Sequence, residues 1–440
     1  MHRRVGERST TFADVFDGLS SRLLRSDPSP VGVALSGGGD SAALLLLAAE
    51  WAASAGRPLL ALHVDHQLNP ASAQWTETAA ALASRVGAGF VTLNWVGEKP
   101  AAGLPAAARR ARHALLADAA RAAGARVILM GHTLNDVAEA DLMRAATPAL
   151  GRLKPWAPSP VWPEGRDVFL LRPLLTTSRQ ALRRLLSAES APYVEDPANV
   201  DPRFARARAR RALAEAPTDA PVAAQGPTPG ADEVSVLPDG SVHIPSSALQ
   251  RGGAALLGPA ILAASGGERP PRGAALARLL ARPSNAVAAA LAGAQIVADG
   301  SGLWLYRESG DYRRRGLPVL DVAAGAAVFD GRFLIEASAP VRISPAAGSL
   351  SRLEPAERER LARIAARARP GLPLAWDGAR LATPYPFGTA PARATALAGP
   401  RLTAAYGLVA HESEISRKSM AEPRRTPYVR AEGTSRALRQ

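Results

Sequence analysis

No cysteine occurs anywhere in the 440 residues of this chain. Structural disulfides, thiolate zinc centres, iron–sulfur clusters and persulfide carriers are therefore excluded on it. Long apolar runs are missing too: the longest, Ala42 to Ala49, falls far short of the roughly 20 residues that a membrane helix needs. Met1 to Ser9 contains arginines but no signal-type apolar core, and Phe12, Val15, Phe16, Leu19 and Leu23 recur instead at helical spacing. An opening amphipathic helix and a cytoplasmic address are expected, with no membrane partner. Acidic residues are in deficit, 39 Asp plus Glu against 53 Lys plus Arg, for a formal charge of +14. The bases are overwhelmingly Arg, the side chain that forks onto phosphate, so a polyanionic partner is expected. A GC-rich coding sequence inflates the same residue, and charge alone does not select nucleic acid.

From Val31 to Leu175 short apolar runs alternate with helical patterns, which predicts an α/β fold with a doubly wound parallel sheet. Strands are expected at Val31 to Leu35, Leu59 to Val64, Phe90 to Trp95, Val127 to Met130 and Val168 to Leu171. Helices are expected near Ser41 to Ala53, Ser72 to Val86, Pro105 to Ala123, Leu134 to Ala145 and Ser178 to Ser187. These make an N-terminal catalytic domain over 1–215. Residues 216–239 have the Pro, Gly, Thr and Ala composition of a linker. Beyond it come a smaller mixed α+β region over 240–320, expected to bind RNA, and a β-leaning segment over 321–410. The latter carries two hairpin-type turns, Phe329-Asp330-Gly331-Arg332 and Trp376-Asp377-Gly378-Ala379-Arg380. The charged end, 411–440, lacks apolar periodicity and is expected to be disordered.

Two nucleotide motifs are absent: Gly-x-x-x-x-Gly-Lys-Ser/Thr and a correctly spaced Gly-x-Gly-x-x-Gly. What stands between the first strand and its helix is Ser36-Gly37-Gly38-Gly39-Asp40-Ser41. Glycines there let backbone approach phosphate, the helix start favours anions, and the two hydroxyls add donors. Asp40 beside phosphate makes sense only with a divalent cation between them, which implies Mg²⁺. His63, Asp65 and His66 end the second strand and His132 ends the fourth, at the edge where open parallel sheets bind ligands. Each histidine alone could equally be a structural residue. Asp136 and Glu139 are three apart on the following helix and share a face, able to hold Mg²⁺ or an ammonium group, although a solvated face has the same spacing. Arg109 and Arg112 project together toward ATP or RNA phosphate, or into solvent. Glu195-Asp196-Pro197-Ala198-Asn199 leads into Phe204 to Arg211, where Arg206, Arg208 and Arg210 crowd one helix densely enough for phosphate contacts.

Taken in order, these motifs resemble the tRNA(Ile)-lysidine synthetase family of pyrophosphate-loop ATP pyrophosphatases. The resemblance is carried by Ser36 to Ser41, His63-Val64-Asp65-His66, Ala108 to His113, His132 to Glu139, Leu171-Arg172-Pro173-Leu174-Leu175 and Glu195 to Arg210. It implies an ATP-dependent carbon–nitrogen ligase that joins L-lysine to C2 of the wobble cytidine (position 34) of an isoleucine tRNA with a CAU anticodon. ATP and Mg²⁺ are implied, with Ser36, Gly37, Gly38, Gly39, Asp40, Ser41, His63, His132, Arg109 and Arg112 around the nucleotide. Asp40, Asp136, Glu139 and Arg206 are implied in catalysis, the last three around the lysine, and Arg206, Arg208 and Arg210 toward tRNA. A homodimer is compatible with the sequence. The chain departs from the family at Asn135, where an Asp is usual, so function carries to Asp136 and Glu139 only. It also has Thr147-Pro148-Ala149 in place of Gly-Ser-Gly.

In the reaction so implied, the cytidine C2 oxygen attacks the α-phosphate of ATP and pyrophosphate leaves; the lysine ε-amine then displaces AMP at C2. A sulfur-inserting relative, another kind of pyrophosphate-loop tRNA-modifying enzyme, needs the cysteines that are absent here. Amide-forming GMP and NAD synthetases give the Arg-rich helix no purpose. A non-enzymatic RNA-binding protein on a decayed nucleotide-binding fold is the remaining alternative, with Asn135 as its one support.

Overall fold

The computed structural model describes residues 12–146, 152–195, 205–213, 226–282 and 288–415. Its first region is a six-stranded sheet built from β1 (Val31–Ala34), β2 (Leu59–Asp65), β3 (Gly89–Asn94), β4 (Val127–Leu129), β5 (Trp156–Pro158) and β6 (Phe169–Leu171), in the order β3-β2-β1-β4-β6-β5. All neighbours are parallel except β5, which pairs antiparallel with β6. The expected doubly wound sheet is present. The edge strand β5 was not expected, because three residues ending in proline give no alternation to read.

Strand periodicity sorts the apolar side chains into two layers. Val31, Val33, Ala61, Val127, Leu129, Phe169 and Leu171 face one core, which also holds α1 (Ala13–Ser20) and α2 (Gly39–Ala55). Leu62, Ile128, Met130 and Leu170 face the other. The opposite face is covered by α4 (Leu104–Ala122) through Leu116, Ala117 and Ala120. Helix α3 (Ser72–Arg85) lies on the first face, and α5 (Leu134–Ala146), α6 (Arg179–Ala188) and α7 (Ala205–Leu213) complete the region. Helix α2 is buried along Ala42 to Ala48 without a polar stripe, as befits a helix covered by the sheet, α1, α3 and α6. No helix among the described residues is long and apolar enough to cross a membrane.

The span read as linker lies outside the described residues up to 225, and from 226 it is part of a second core, contributing the strand Ser235–Val236. That core is a five-stranded antiparallel sheet with the helical segment Ser246–Ser265, broken by a kink at Gly253, on one face. A third core lies between two four-stranded sheets within 320–396. Asp330 and Gly331 both adopt left-handed backbone in the hairpin joining Gly325–Phe329 to Phe333–Ala337, and the second Asp-Gly pair turns between Pro373–Trp376 and Leu381–Ala382. Both behave as turn chemistry. The Asp330 carboxylate also accepts from Arg307 Nε (2.9 Å) and Tyr312 Oη (2.8 Å), tying the second core to the third.

The chain then doubles back. Ala398–Ala405 packs into the second core, and residues 408–415 reach the first. Residues 411–415, read from composition as the start of a disordered tail, are ordered here; 416–440 lie outside the described residues. Glu412 is 0% exposed and accepts from Arg57 Nη1 (2.9 Å), Arg57 Nη2 (3.1 Å) and the backbone N–H of Leu24 (2.9 Å), with Arg126 Nη2 at 3.7 Å. Composition cannot show this, since one buried carboxylate outweighs the polarity of its neighbours. Glu412→Ala leaves the buried Arg57 guanidinium without its counter-ion, while Arg126 keeps Asp27 at 3.2 Å, and a loss of about 3 kcal/mol is expected. A lowered urea midpoint at unchanged slope is the observable; an unchanged midpoint refutes the anchor.

Candidate active site

The phosphate-loop candidate sits at the carboxyl end of β1, between β2 and β4, where the strand order turns. Gly37 has φ +86°, a left-handed conformation that glycine adopts without strain. Helix α2 begins at Gly39 with no side-chain cap, so its first N–H groups stay available to an anion. Ser41 Oγ donates to Gly38 O (2.8 Å) and lies 3.1 Å from Ser36 Oγ, which fixes the turn from inside. A Cβ on Gly131 would come within 3.1 Å of Ser41 N and 3.2 Å of the Asp40 carbonyl. The end of β4 can therefore press against the loop only because that position has no side chain.

At the mouth of this loop three carboxylates converge. Asp40 projects from the first turn of α2, and Asp136 and Glu139 from α5. Arg179, in the first turn of α6, spans all three: Nε donates to Asp40 Oδ2 (3.1 Å), Nη1 to Glu139 Oε1 (2.6 Å) and Nη2 to Asp136 Oδ1. Arg183 Nη1 meets Asp40 Oδ1 (3.3 Å), Arg206 donates to Glu139 Oε2 (2.9 Å) and Asp136 Oδ1, and Arg210 Nε donates to Glu139 Oε1 (3.0 Å). Asp136 Oδ2 additionally takes the Thr133 N–H (2.7 Å) and hydroxyl (3.0 Å). Burial alone would raise the Glu139 pKa, but the hydrogen bonds from Arg179 and Arg206 outweigh it and hold the carboxyl below its usual range.

Beside the carboxylates stands a cationic wall. Arg109 and Arg112 come from α4, Arg172 from the end of β6. Burial first, then repulsion from Arg109, pushes Arg112 and Arg172 down to about 10, and the Nε of each is buried without a hydrogen-bond partner among the described residues. His113 is 2% exposed with neither ring nitrogen partnered, and burial followed by Arg112 and Arg109 pushes it down to about 2. Burial and then Arg172 hold His132 well below its ordinary value. Buried positive charge without matching carboxylates is a poor arrangement unless an anion completes it.

These depressed histidines set a pH dependence. In the unfolded chain a histidine titrates near 6.5, so below that pH the unfolded state takes up a proton that the folded one refuses. Stability present above pH 6.5 is therefore lost as pH falls, at about 1.4 kcal/mol per pH unit for each ring. His113→Phe is expected to lose on the order of 2 kcal/mol less than wild type between pH 6.5 and 4.5. Urea midpoints stepped through that range check it, and parallel curves refute it.

The structure thus brings together Ser36 to Ser41, Asp136, Glu139, Arg206 and Arg210, with Arg109, Arg112 and His132 alongside. His63 is not among them: its Nδ1 lies 2.8 Å from Leu35 O and its Nε2 3.2 Å from Thr76 Oγ1, a buried ring already satisfied by the fold. Arg208 is exposed on α7 and, two residues from each, projects from a different face of the helix than Arg206 and Arg210. Asp196 and Asn199 lie outside the described residues. Asn135 Oδ1 accepts the backbone N–H of Arg179 (2.9 Å), so the residue that departs from the family's Asp ties α5 to α6. Arg179 and Arg183 were missed by sequence reasoning; the available signal was their place on the first turns of the helix following β6, at the same sheet edge as the loop.

The residues also suit a divalent cation. Among the described residues no group of three His, Cys, Asp or Glu forms a metal cage. Asp40, 23% exposed at the mouth of the glycine loop, offers one carboxylate, which fits an ion that completes its octahedron with phosphate oxygens and water, as Mg²⁺ does.

Comparison with known proteins identifies the family. Residues 10–216 match the PP-loop domain family. The chain is 47% identical to a tRNA(Ile)-lysidine synthase of Caulobacter vibrioides, over 82% of this chain and 88% of that one. It is 38% identical to a tRNA(Ile)-lysidine synthase of Hyphomonas neptunium, over 62% and 79%. Among solved structures, a U34-tRNA thiolase from Methanococcus maripaludis is similar at 18% identity and TM-score 0.40, over 47% of this chain and 71% of that one. At that identity to the Caulobacter enzyme and over nearly all of its length, the chain belongs to the tRNA(Ile)-lysidine synthase family of ATP-dependent ligases.

Proposed function

We propose that the three converging carboxylates and the cationic wall divide the reaction between them: ATP lies on the loop with its phosphates toward Arg109, Arg112 and His132, and L-lysine enters against Asp136 and Glu139. The enzyme activates the C2 oxygen of the wobble cytidine in a CAU-anticodon isoleucine tRNA by attack on the α-phosphate, releasing pyrophosphate. The lysine ε-amine then forms the new bond to C2 as the C2–oxygen bond to AMP breaks. This reading places the enzyme in the cytoplasm, with its tRNA and ATP. The observation that supports it best is the convergence of Asp40, Asp136 and Glu139 at the loop mouth.

Bound at Asp40, Mg²⁺ would neutralise charge on the leaving pyrophosphate. The protein's own task at lysine is proton management. Converting the ammonium to the amine at pH 7 costs roughly 4 to 5 kcal/mol, given a free pKa of about 10.4. Glu139 is a poor proton acceptor while Arg179 and Arg206 hold it below its usual range. It gains basicity when a lysine displaces those donors, so the same carboxylate first orients the ammonium and then accepts its proton.

The test is incorporation of labelled lysine into CAU isoleucine tRNA with one AMP released per lysine. AMP release independent of lysine and tRNA overturns the reading. The rival of an RNA-binding protein without chemistry rested on Asn135, whose side chain has a structural task on Arg179.

The arginines of α7 divide accordingly. Arg208→Ala is expected to weaken tRNA binding and to reduce its log–log salt slope by about one unit, as loss of one phosphate contact does. Arg210→Ala, on Glu139, is expected to lower turnover with little change in that slope. Binding measured across a salt series beside lysidine formation distinguishes them, and equal effects at both positions refute the division.

A further inference from the structure

Arg179 is the one side chain among the described residues whose charge is shared between Asp40 and the pair Asp136 and Glu139. Of the three carboxylates, Arg183 meets Asp40, and Arg206 and Arg210 meet Asp136 and Glu139. Each of the three guanidinium nitrogens of Arg179 has a different carboxylate. Its backbone is fixed by Asn135, and its helix is capped by Ser178, which accepts the Ala181 N–H (3.3 Å). Only the side chain is free to redistribute.

We propose that Arg179 is a positioning residue that couples the two ligand sites antagonistically and so orders the half-reactions. The inference rests on the reading of Asp40 as the Mg·ATP residue and of Asp136 and Glu139 as the ammonium residues. A divalent cation at Asp40 repels the guanidinium and hands it wholly to Asp136 and Glu139, where it competes with an incoming ammonium. An ammonium there displaces the guanidinium toward Asp40, where it competes with the cation. Linkage makes the two effects equal in free energy. Lysine is thereby held off while the cation and the full triphosphate are present, and it is admitted once pyrophosphate has left with its cation. The chain thus favours adenylation of the cytidine before amine attack.

Calorimetric titration of lysine into the full-length protein tests this, with and without Mg²⁺ and an α,β-methylene ATP analogue that cannot release pyrophosphate. In wild type the Mg·analogue is expected to weaken lysine binding about 5- to 50-fold, within the usual span of coupling between sites. Arg179→Gln is expected to bring that ratio to within about twofold of one, while Arg183→Gln, which removes no bridge, retains it. Arg179→Lys keeps a charge but lacks the fork, and it too is expected to lose most of the ratio. It serves as the second variant if the glutamine form is unstable, with thermal unfolding of both as the check on folding. An unchanged ratio in both Arg179 variants overturns the proposal, as does a Mg·analogue that fails to weaken lysine binding in wild type, or lysine binding undetectable in every form. The underlying reading fails separately: Asp136→Asn and Glu139→Gln would then bind lysine as wild type does. If those variants lose lysine while Arg179→Gln keeps the ratio, only the coupling is refuted.

Discussion

Asp40→Ala is expected to stop AMP and pyrophosphate formation, by at least about 10³-fold, equivalent to roughly 4 kcal/mol of barrier, while the chain stays folded. The catalytic half of that expectation follows from position. Asp40 is the one carboxylate in the first turn of α2, directly after the glycines whose backbone would hold the triphosphate. The stability half follows from what the side chain touches. Its partners are the tips of Arg179 and Arg183, at 3.1 and 3.3 Å, on a carboxylate 23% exposed, so its loss is expected to cost under about 1 kcal/mol. Pyrophosphate release and a urea midpoint measured on the same preparation read the two halves separately. Ordinary pyrophosphate release by the variant at ordinary Mg²⁺ would remove Asp40 from the reaction.

The second large effect is expected at Asp136 and Glu139. Both are almost fully buried and both are already paired to guanidiniums, so each is built to meet a cationic nitrogen. Asp136→Asn and Glu139→Gln preserve shape while removing charge, and a rise of 10²-fold or more in the lysine KM is expected with nucleotide affinity within about threefold of wild type, as suits loss of a buried ionic contact. Asp136→Asn also weakens the bonds from Thr133, so its unfolding is the more sensitive of the two. Unchanged lysine KM with collapsed ATP affinity in both variants would make them ligands of the metal instead.

What the sequence could and could not disclose follows from the range of each interaction. The succession of short apolar runs and helical patterns is local, and it predicted the doubly wound sheet and with it the strand ends where open parallel sheets bind ligands. Ser36 to Ser41 was legible because glycines, hydroxyls and a helix start are contiguous. Arg179 was not, since its partners lie 139, 43 and 40 residues away and a lone arginine at a helix start reads as solvent-exposed. His63 was assigned to the nucleotide because it ends a strand at the right edge. Residue number does not say that its ring turns inward to Leu35 and Thr76. Arg210 was read as a phosphate contact from its crowded helix, and only the packing of α7 on α5 places it against Glu139.

The clasp of Glu412 on Arg57 carries a consequence for the protein's birth. The two residues are separated by 355 positions. At roughly 5 to 20 residues per second on a ribosome, Arg57 emerges some tens of seconds before its counter-ion exists. Throughout that interval the nascent first region holds Arg57 without the carboxylate that completes it. A message truncated between codons 210 and 412 yields a polypeptide that has every loop and carboxylate of the active site but lacks its fastening. Such fragments are expected to be handed to proteases in preference to the finished chain, so that the seal arrives only with nearly complete translation.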